Sequence, residues 1–262
     1  MKRNLCISLI ILALTILFLA QQTNTLKTTN YTWQSDRVPE AFDGFRIAQL
    51  SDLHNKRFGK GQKRLVEAIQ AARPDMIAFT GDLVDDATKN LDFVREFLDG
   101  VKNLAPIYYV DGNHDENSPH YDAFLALLSQ YNVMVLNGYA RLERGGDAMT
   151  LAGFPFWPVR YKQLDTSVPA DIVLLHDPFE FENFAKNGYG LMLAGHIHGG
   201  QIALPGGRAI YMPSAGLFPK YSAGLYRHGE AAMIVSRGLG TVGVPFRAFS
   251  LPEIVIIELK CE

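Results

Sequence analysis

Cysteine is nearly absent: of 262 residues only Cys6 and Cys261 carry thiols, one in an N-terminal apolar run and the other next to last. A structural disulfide between such positions is not expected, and the scarcity argues against a closed structural zinc site, which draws on thiolates. An excess of one charge sign is missing too. Lys and Arg number 25 against 27 Asp and Glu, a formal charge of -2, and this gives no reason to propose a nucleic-acid partner, which normally leaves a basic excess or stripe. Internal repeats and low-complexity tracts are lacking, and only one long hydrophobic run occurs. Length and ordinary composition therefore predict one soluble-type domain with an N-terminal appendage.

Histidine is scarce but concentrated. Five of the seven histidines fall in short polar motifs, namely Ser51-Asp52-Leu53-His54, Gly112-Asn113-His114-Asp115, His176-Asp177 and Gly195-His196-Ile197-His198-Gly199, and Gly81-Asp82 is a fifth motif of the same kind. Each motif follows a short apolar run: Ile47 to Leu50, Met76 to Phe79, Ile107 to Val110, Ile172 to Leu175, and Leu191 to Ala194. Such runs read as buried strands. In open α/β sheets ligands bind beyond the C-terminal strand ends, where residues distant in sequence converge. Asp52, Asp82 and Asn113 succeed one another at 30 and 31 residues, about one strand, helix, strand unit.

The gaps have helical character. Leu65, Ala68, Ile69 and Ala72, and then Val94, Phe97, Leu98 and Val101, recur at helical spacing, and a further helix is expected at about 121–131. From Asn113 to His176 the interval widens to 63 residues. It leaves room for an excursion through Phe154, Phe156 and Trp157, either a substrate wall or a packed aromatic loop.

Two divalent cations about 3.5 to 4 Å apart can clamp the attacking and leaving oxygens of an in-line displacement at phosphorus. Such a site needs a carboxylate shared by both ions, neutral imidazoles to complete each shell, and one acid near the leaving group. Asp-x-His sends two ligands the same way from an extended chain, and Gly195, Gly199 and Gly200 permit close backbone approach around the second His pair. His120 and His228 lie outside every motif and read as surface or structural residues, and Gly238 and Gly240 as turn residues. Lys56 and Arg57 read as anion-steering or solvated loop charges, and Arg247 as a phosphate contact or a structural ion-pair partner.

These motifs, with Gly200-Gln201-Ile202, Ser236-Arg237-Gly238-Leu239-Gly240, Pro245-Phe246-Arg247 and Pro252-Glu253-Ile254, resemble the calcineurin-like metallophosphoesterases. The likeness is to the membrane-associated bacterial subgroup that includes UDP-diacylglucosamine hydrolases of lipid A synthesis. It runs from about Phe45 to Leu259. It implies an α/β fold, a four-layer α/β/β/α sandwich, and a metal-dependent phosphoric ester hydrolase with two divalent ions (Mn, Fe or Zn). It also implies that Asp52, His54 and His198 bind one metal, that Asn113, His176 and His196 bind the other, and that Asp82 bridges them. His114 is implied to protonate the leaving oxygen or stabilise developing charge, with Asp115 behind it orienting His114 or a ligand. Ile197 stands where the subgroup often has Thr.

The N-terminal run sets the expected location. Lys2-Arg3 precedes sixteen uncharged, mostly apolar residues, Leu5 to Ala20, between the length of a signal peptide and that of a spanning helix. Phe18 is too large for a good cleavage site after Ala20, so an uncleaved single-pass anchor is favoured over a removed signal. The positive-inside rule puts the domain outside the cytoplasm. The organisation expected is 1–25 anchor or signal, 26–43 polar tether and 44–262 phosphoesterase domain. The expected partners are the membrane and a phosphorylated small-molecule or lipid substrate, a phosphodiester or pyrophosphate such as UDP-2,3-diacylglucosamine. A nuclease or cyclic-nucleotide phosphodiesterase on the same metals, and a non-catalytic metal-binding scaffold, are the alternatives.

Overall fold

In this computed structural model the residues described are 2–157, 168–200, 202–205, 208–212 and 216–262. The first six-stranded sheet follows from four apolar runs whose two faces are both dry. β2 (Arg46–Leu50), β3 (Met76–Thr80) and β4 (Ile107–Val110) lie parallel, β5 (Met134–Val135) extends one edge, and β15 (Glu253–Cys261) pairs antiparallel with β2. β1 (Lys27–Ser35) closes the other edge, parallel to β15. α2 (Lys63–Ala72), α3 (Asp92–Val101) and α4 (Tyr121–Gln130) cover the outer face, where Leu65, Ile69, Val94, Phe97 and Phe124 meet Leu50, Phe79 and Tyr109.

The second six-stranded sheet has the order β13 (Gly224–His228), β14 (Ala231–Val235), β9 (Leu191–Ala194), β8 (Ile172–Leu174), β7 (Asp147–Gly153), β6 (Gly138–Arg144). Its inner side chains Leu151, Ile172, Leu193 and Ile234 pack with Trp33, Ile47, Ala78 and Val255 of the first sheet. Its outer side packs Val173, Met192 and Met233 against Phe181 and Phe184 of α5 (Phe181–Lys186). Burial on both faces explains why these strands read as continuous apolar runs rather than alternating ones. One buried polar link crosses between the sheets: Gln49 on β2 donates to the Ala194 carbonyl at the end of β9, 2.9 Å away. A small antiparallel sheet of β10 (Ile202–Ala203), β11 (Ala209–Met212) and β12 (Gly216–Leu217) stands apart.

The N-terminal segment departs from expectation. α1 spans Lys2–Asn24, beyond the apolar run, with no buried residue. It is long and apolar enough to cross a membrane by length and composition, and at 1.5 Å per residue it reaches about 34 Å. Residues 26–43, expected as a tether, are part of the fold. β1 pairs with β15 over Lys27 to Ser35, and Trp33, Val38 and Phe42 are buried. The Thr, Asn and Gln of Lys27–Ser35 sit on an edge strand, whose exposed positions tolerate polar residues while Trp33 alone anchors it. Only Thr25 and Leu26 separate helix from strand.

Candidate metal centre

The site sits where the C-terminal strand ends of both sheets meet. β2 delivers Asp52 and His54, β3 delivers Asp82, and β4 delivers Asn113 to Asp115; β8 and β9 of the facing sheet deliver His176, His196 and His198. The ligand-type atoms of Asp52, His54 and His198 lie within 4.8 Å of one another, as do those of Asp82, His176 and His196. Asp82 Oδ2 is 3.0 Å from His176 Nε2 and 3.6 Å from His54 Nε2, so one carboxylate reaches both groups.

Local backbone geometry carries the cost of this convergence. Asp52, His54, Asp82, His196 and His198 have φ of 52, 46, 57, 72 and 53°, a left-handed conformation that residues with a Cβ occupy sparsely and that collects at functional sites. Two glycines make room. A Cβ on Gly112 would sit 2.2 Å from Asp82 Oδ1, and one on Gly195 would sit 1.9 Å from Ser51 Oγ and 2.6 Å from Asp52 Oδ2.

Backbone and side-chain partners then aim the donors. His176 Nδ1 donates to the Thr80 carbonyl at 2.8 Å, which leaves Nε2 facing the cluster. Asp115 is a hub rather than a partner of the His114 ring: its carboxylate accepts from the backbone N–H of Asp82, Leu83, Val84 and Gly112 at 2.6, 2.9, 3.0 and 2.8 Å. It thereby locks the loop after β3 to the loop after β4. His114 N donates to Asp82 Oδ1 at 2.8 Å, and its ring stands edge-on to His54, centroids 5.1 Å apart.

The electrostatics call for added positive charge. Burial pushes the Asp82 carboxyl up, but the charge and hydrogen bond of His176, with His54 and His114, outweigh it and hold the group below the usual carboxylate range. Burial would lower His176, yet the Asp82 carboxylate wins and raises it to about 10. His198, pressed by burial and by His54 and Arg247, lies well below its ordinary value, the direction that favours the neutral imidazole a metal takes as ligand. Burial and the Asp82 charge push Asp115 up to about 7.

Buried polar atoms test whether the residues fit divalent cations. His54 Nε2 and Asn113 Oδ1 are buried and make no hydrogen bond, and Asp82 Oδ2 has the His176 and His54 imidazoles beside it. Buried polar groups are otherwise almost always satisfied. Oxygen and imidazole donors of this kind suit Mn, Fe or Zn. The donor set fits a pair of divalent ions.

Asp85 was not singled out from sequence, whereas the other residues outside the cluster were. Asp85, three residues beyond Asp82, places Oδ2 3.4 Å from His54 Nδ1 and also pairs with Asn55. Arg247, half-expected to meet a phosphate or an acid, is buried and spends its guanidinium on carbonyls, accepting partners being His198 O at 3.2 Å, Arg237 O at 2.7 Å, Ser250 O at 3.1 Å and Gly240 O. Phe156 does border the site, its ring 5.7 and 5.6 Å from those of His176 and His196, and Trp157 packs edge-on to it at 4.8 Å. Phe154 instead belongs to the core beside α5. Lys56 and Arg57 engage Thr23 O and Glu96 rather than the cluster. His120 precedes α4, and His228 is exposed at the end of β13.

Asp and His donors gathered into two groups at converging strand ends, with Asn113 on the wall of the same cavity, define the class of metal-dependent hydrolases. The calcineurin-like phosphoesterase family model matches residues 45–200, and the chain belongs to that family. It is a metal-dependent phosphoesterase with an α/β fold of mixed sheets. Among relatives, the uncharacterized metallophosphoesterase YkuE of Bacillus subtilis is 31% identical over 90% of this chain and 86% of its own length. A transmembrane protein with metallophosphoesterase domain of Danio rerio is 30% identical over 86% of this chain, which spans only 55% of that protein. A novel archaeal phosphodiesterase of known structure is 13% identical, covering 73% of this chain and 82% of that one at a TM-score of 0.39.

Proposed function

We propose that the chain is a membrane-anchored phosphoesterase holding two divalent cations, Mn, Fe or Zn, that hydrolyses a phosphodiester or pyrophosphate bond of a lipid or nucleotide-sugar lipid. UDP-2,3-diacylglucosamine is one member of that class. The observation that carries the reading is the mixed lining of the cavity at the centre: Asp82, Asn113, His114, His196, His198 and Arg247 share it with Met212, Val242, Val244 and Phe246. A phosphoryl group suits the polar members and hydrocarbon the apolar ones.

In this reading Asp52, His54 and His198 hold one cation, Asn113, His176 and His196 the other, and Asp82 both. When bound, the pair supplies Lewis-acid charge and an activated water for in-line displacement at phosphorus. His114, on the cavity wall with its backbone tied to Asp82, gives a proton to the leaving oxygen. Asp115 keeps Asp82 and Gly112 in register. Residues 1–25 form the anchor and 26–262 the catalytic domain. The three hydrophobic clusters support the four-layer α/β/β/α arrangement. Lys2 and Arg3 on the cytoplasmic side turn the domain outward, toward phosphoester lipids of the outer leaflet.

The test is metal analysis of the purified chain together with turnover on a panel: UDP-2,3-diacylglucosamine, a phospholipid diester, bis(p-nitrophenyl) phosphate, p-nitrophenyl phosphate and a single-stranded oligonucleotide. Bound divalent metal and preference for an amphiphilic diester or pyrophosphate are expected. Preference for the oligonucleotide or the monoester would sink the substrate reading.

A further inference from the structure

The small sheet β10–β12 carries an apolar face that the fold does not cover. Ile202 pairs directly with Tyr211, and Tyr211 with Leu217, so the three side chains stand in a row on one face. All three are exposed, Leu217 at 69%. Phe218 follows at 56%, and Phe249 lies beside the row, since Ala248 bridges to Ile202. Both phenylalanines have left-handed backbone, φ 49 and 60°, which a bulky side chain adopts only under constraint. Burial is not the constraint, because both rings face outward. A contiguous exposed apolar patch of this kind marks an interaction surface.

The identity of the partner follows from α1. The last turns of that helix are bound to the segment that adjoins this face: the Phe18 and Phe249 rings are 5.3 Å apart, Phe249 N donates to Gln22 Oε1 at 3.2 Å, and Arg247 N donates to Thr23 Oγ1 at 3.0 Å. Lys56 donates to Thr23 O, and Arg64 to Asn24 O at 2.9 Å, so two cations stand at the negative end of the helix dipole. Segment 56–64 holds Lys56, Lys60 and Arg64, besides Arg57 and Lys63 that pair with Glu96 and Glu67, and Arg208 lies over the Phe218 ring at 5.9 Å. Apolar side chains rimmed by cations beside the exit of an apolar helix match the headgroup and acyl boundary of an anionic bilayer.

We propose that the outer face of β10–β12, with Phe218 and Phe249, is a second membrane contact that lies in the bilayer interface and orients the domain. It rests on the reading of α1 as a spanning helix. With Thr25 and Leu26 as the only residues between α1 and β1, the domain cannot swing away on a tether, and the face stays at the height where α1 leaves the hydrocarbon. The cavity shares Met212 with this sheet and Val242, Val244, Phe246 and Arg247 with the loop leading to Phe249. It therefore opens at headgroup level, and a lipid phosphoester enters without its chains leaving the bilayer.

The experiment uses the full chain with Cys6→Ser and Cys261→Ser, carrying an environment-sensitive nitrobenzoxadiazole label at Leu217→Cys or, as control, at Glu230→Cys on the turn between β13 and β14. Each is reconstituted in phosphatidylcholine and phosphatidylglycerol vesicles containing doxyl-labelled lipid. Retained turnover of bis(p-nitrophenyl) phosphate shows that the labelled chains are folded, and Tyr211→Cys provides an independent position. Blue-shifted, quenched emission at 217 and 211, with water-like unquenched emission at 230, is expected. Unquenched emission at 217 and 211 while the chain stays in the vesicles overturns this face and leaves α1 as an anchor. Shielding that grows with protein concentration but not with lipid assigns the face to a second copy and also overturns it. Loss of the chain from the vesicles overturns both readings.

Discussion

At the residue scale, the two histidine and carboxylate groups separate ligands from acid–base chemistry. Asp82 Oδ2 reaches both groups, so Asp82→Ala is expected to lower metal content and turnover together; two metals retained at full affinity, read by metal analysis, would refute the shared role. His114 stands on the cavity wall and contributes only its backbone N–H to Asp82. His114→Ala is therefore expected to keep its metals and lose about 10²-fold or more in turnover, the range for a general acid. Metal loss in that variant would move His114 among the ligands.

At the element scale, strand ends and glycine gaps decide what the side chains can reach. Gly112 lies where a Cβ would overlap Asp82 Oδ1 at 2.2 Å, and Asp115 holds that approach closed through Gly112 N and Asp82 N. Gly112→Ala should push Asp82 away and reduce metal affinity by roughly 10- to 100-fold, as changes beside a ligand do, measurable by metal titration. Wild-type affinity would show that the β3 and β4 loops can separate without loss. The edge strand β1 has its own consequence. Trp33 is 1% exposed between the two sheets, and Trp33→Ala should destabilise the fold by about 3 to 5 kcal/mol, read from denaturant midpoints.

At the scale of the whole molecule, the chain divides between α1 and everything after it. The full chain is expected to stay with membranes after a high-salt wash. A chain beginning at Leu26 should be soluble and still hydrolyse a small phosphodiester, whereas one beginning at Thr32 removes half of β1 and its pairing with β15 and should aggregate. Equal solubility and activity from both starting points would show that β1 is dispensable. A mature chain cut after Ala20 and free in the soluble fraction would end the anchor reading and leave the metal chemistry untouched.

Sequence alone determined the five strands that lead into the site, because runs such as Ile107–Val110 and Leu191–Ala194 are buried and show without any knowledge of partners. It also determined the site candidates, because Asp and His placed at the ends of buried strands have few structural uses. It misjudged residues 26–43, since an edge strand with one buried tryptophan has the composition of a linker. Tertiary structure alone decided that Asp115 clamps four backbone N–H groups, that Arg247 is tied to backbone carbonyls, and that Asp85 stands behind His54. Those roles depend on which loops come to lie side by side in the folded chain, and no local pattern encodes which loop that is. The membrane-facing row of Ile202, Tyr211 and Leu217 belongs to the same class: three scattered apolar residues become one surface only through cross-strand register.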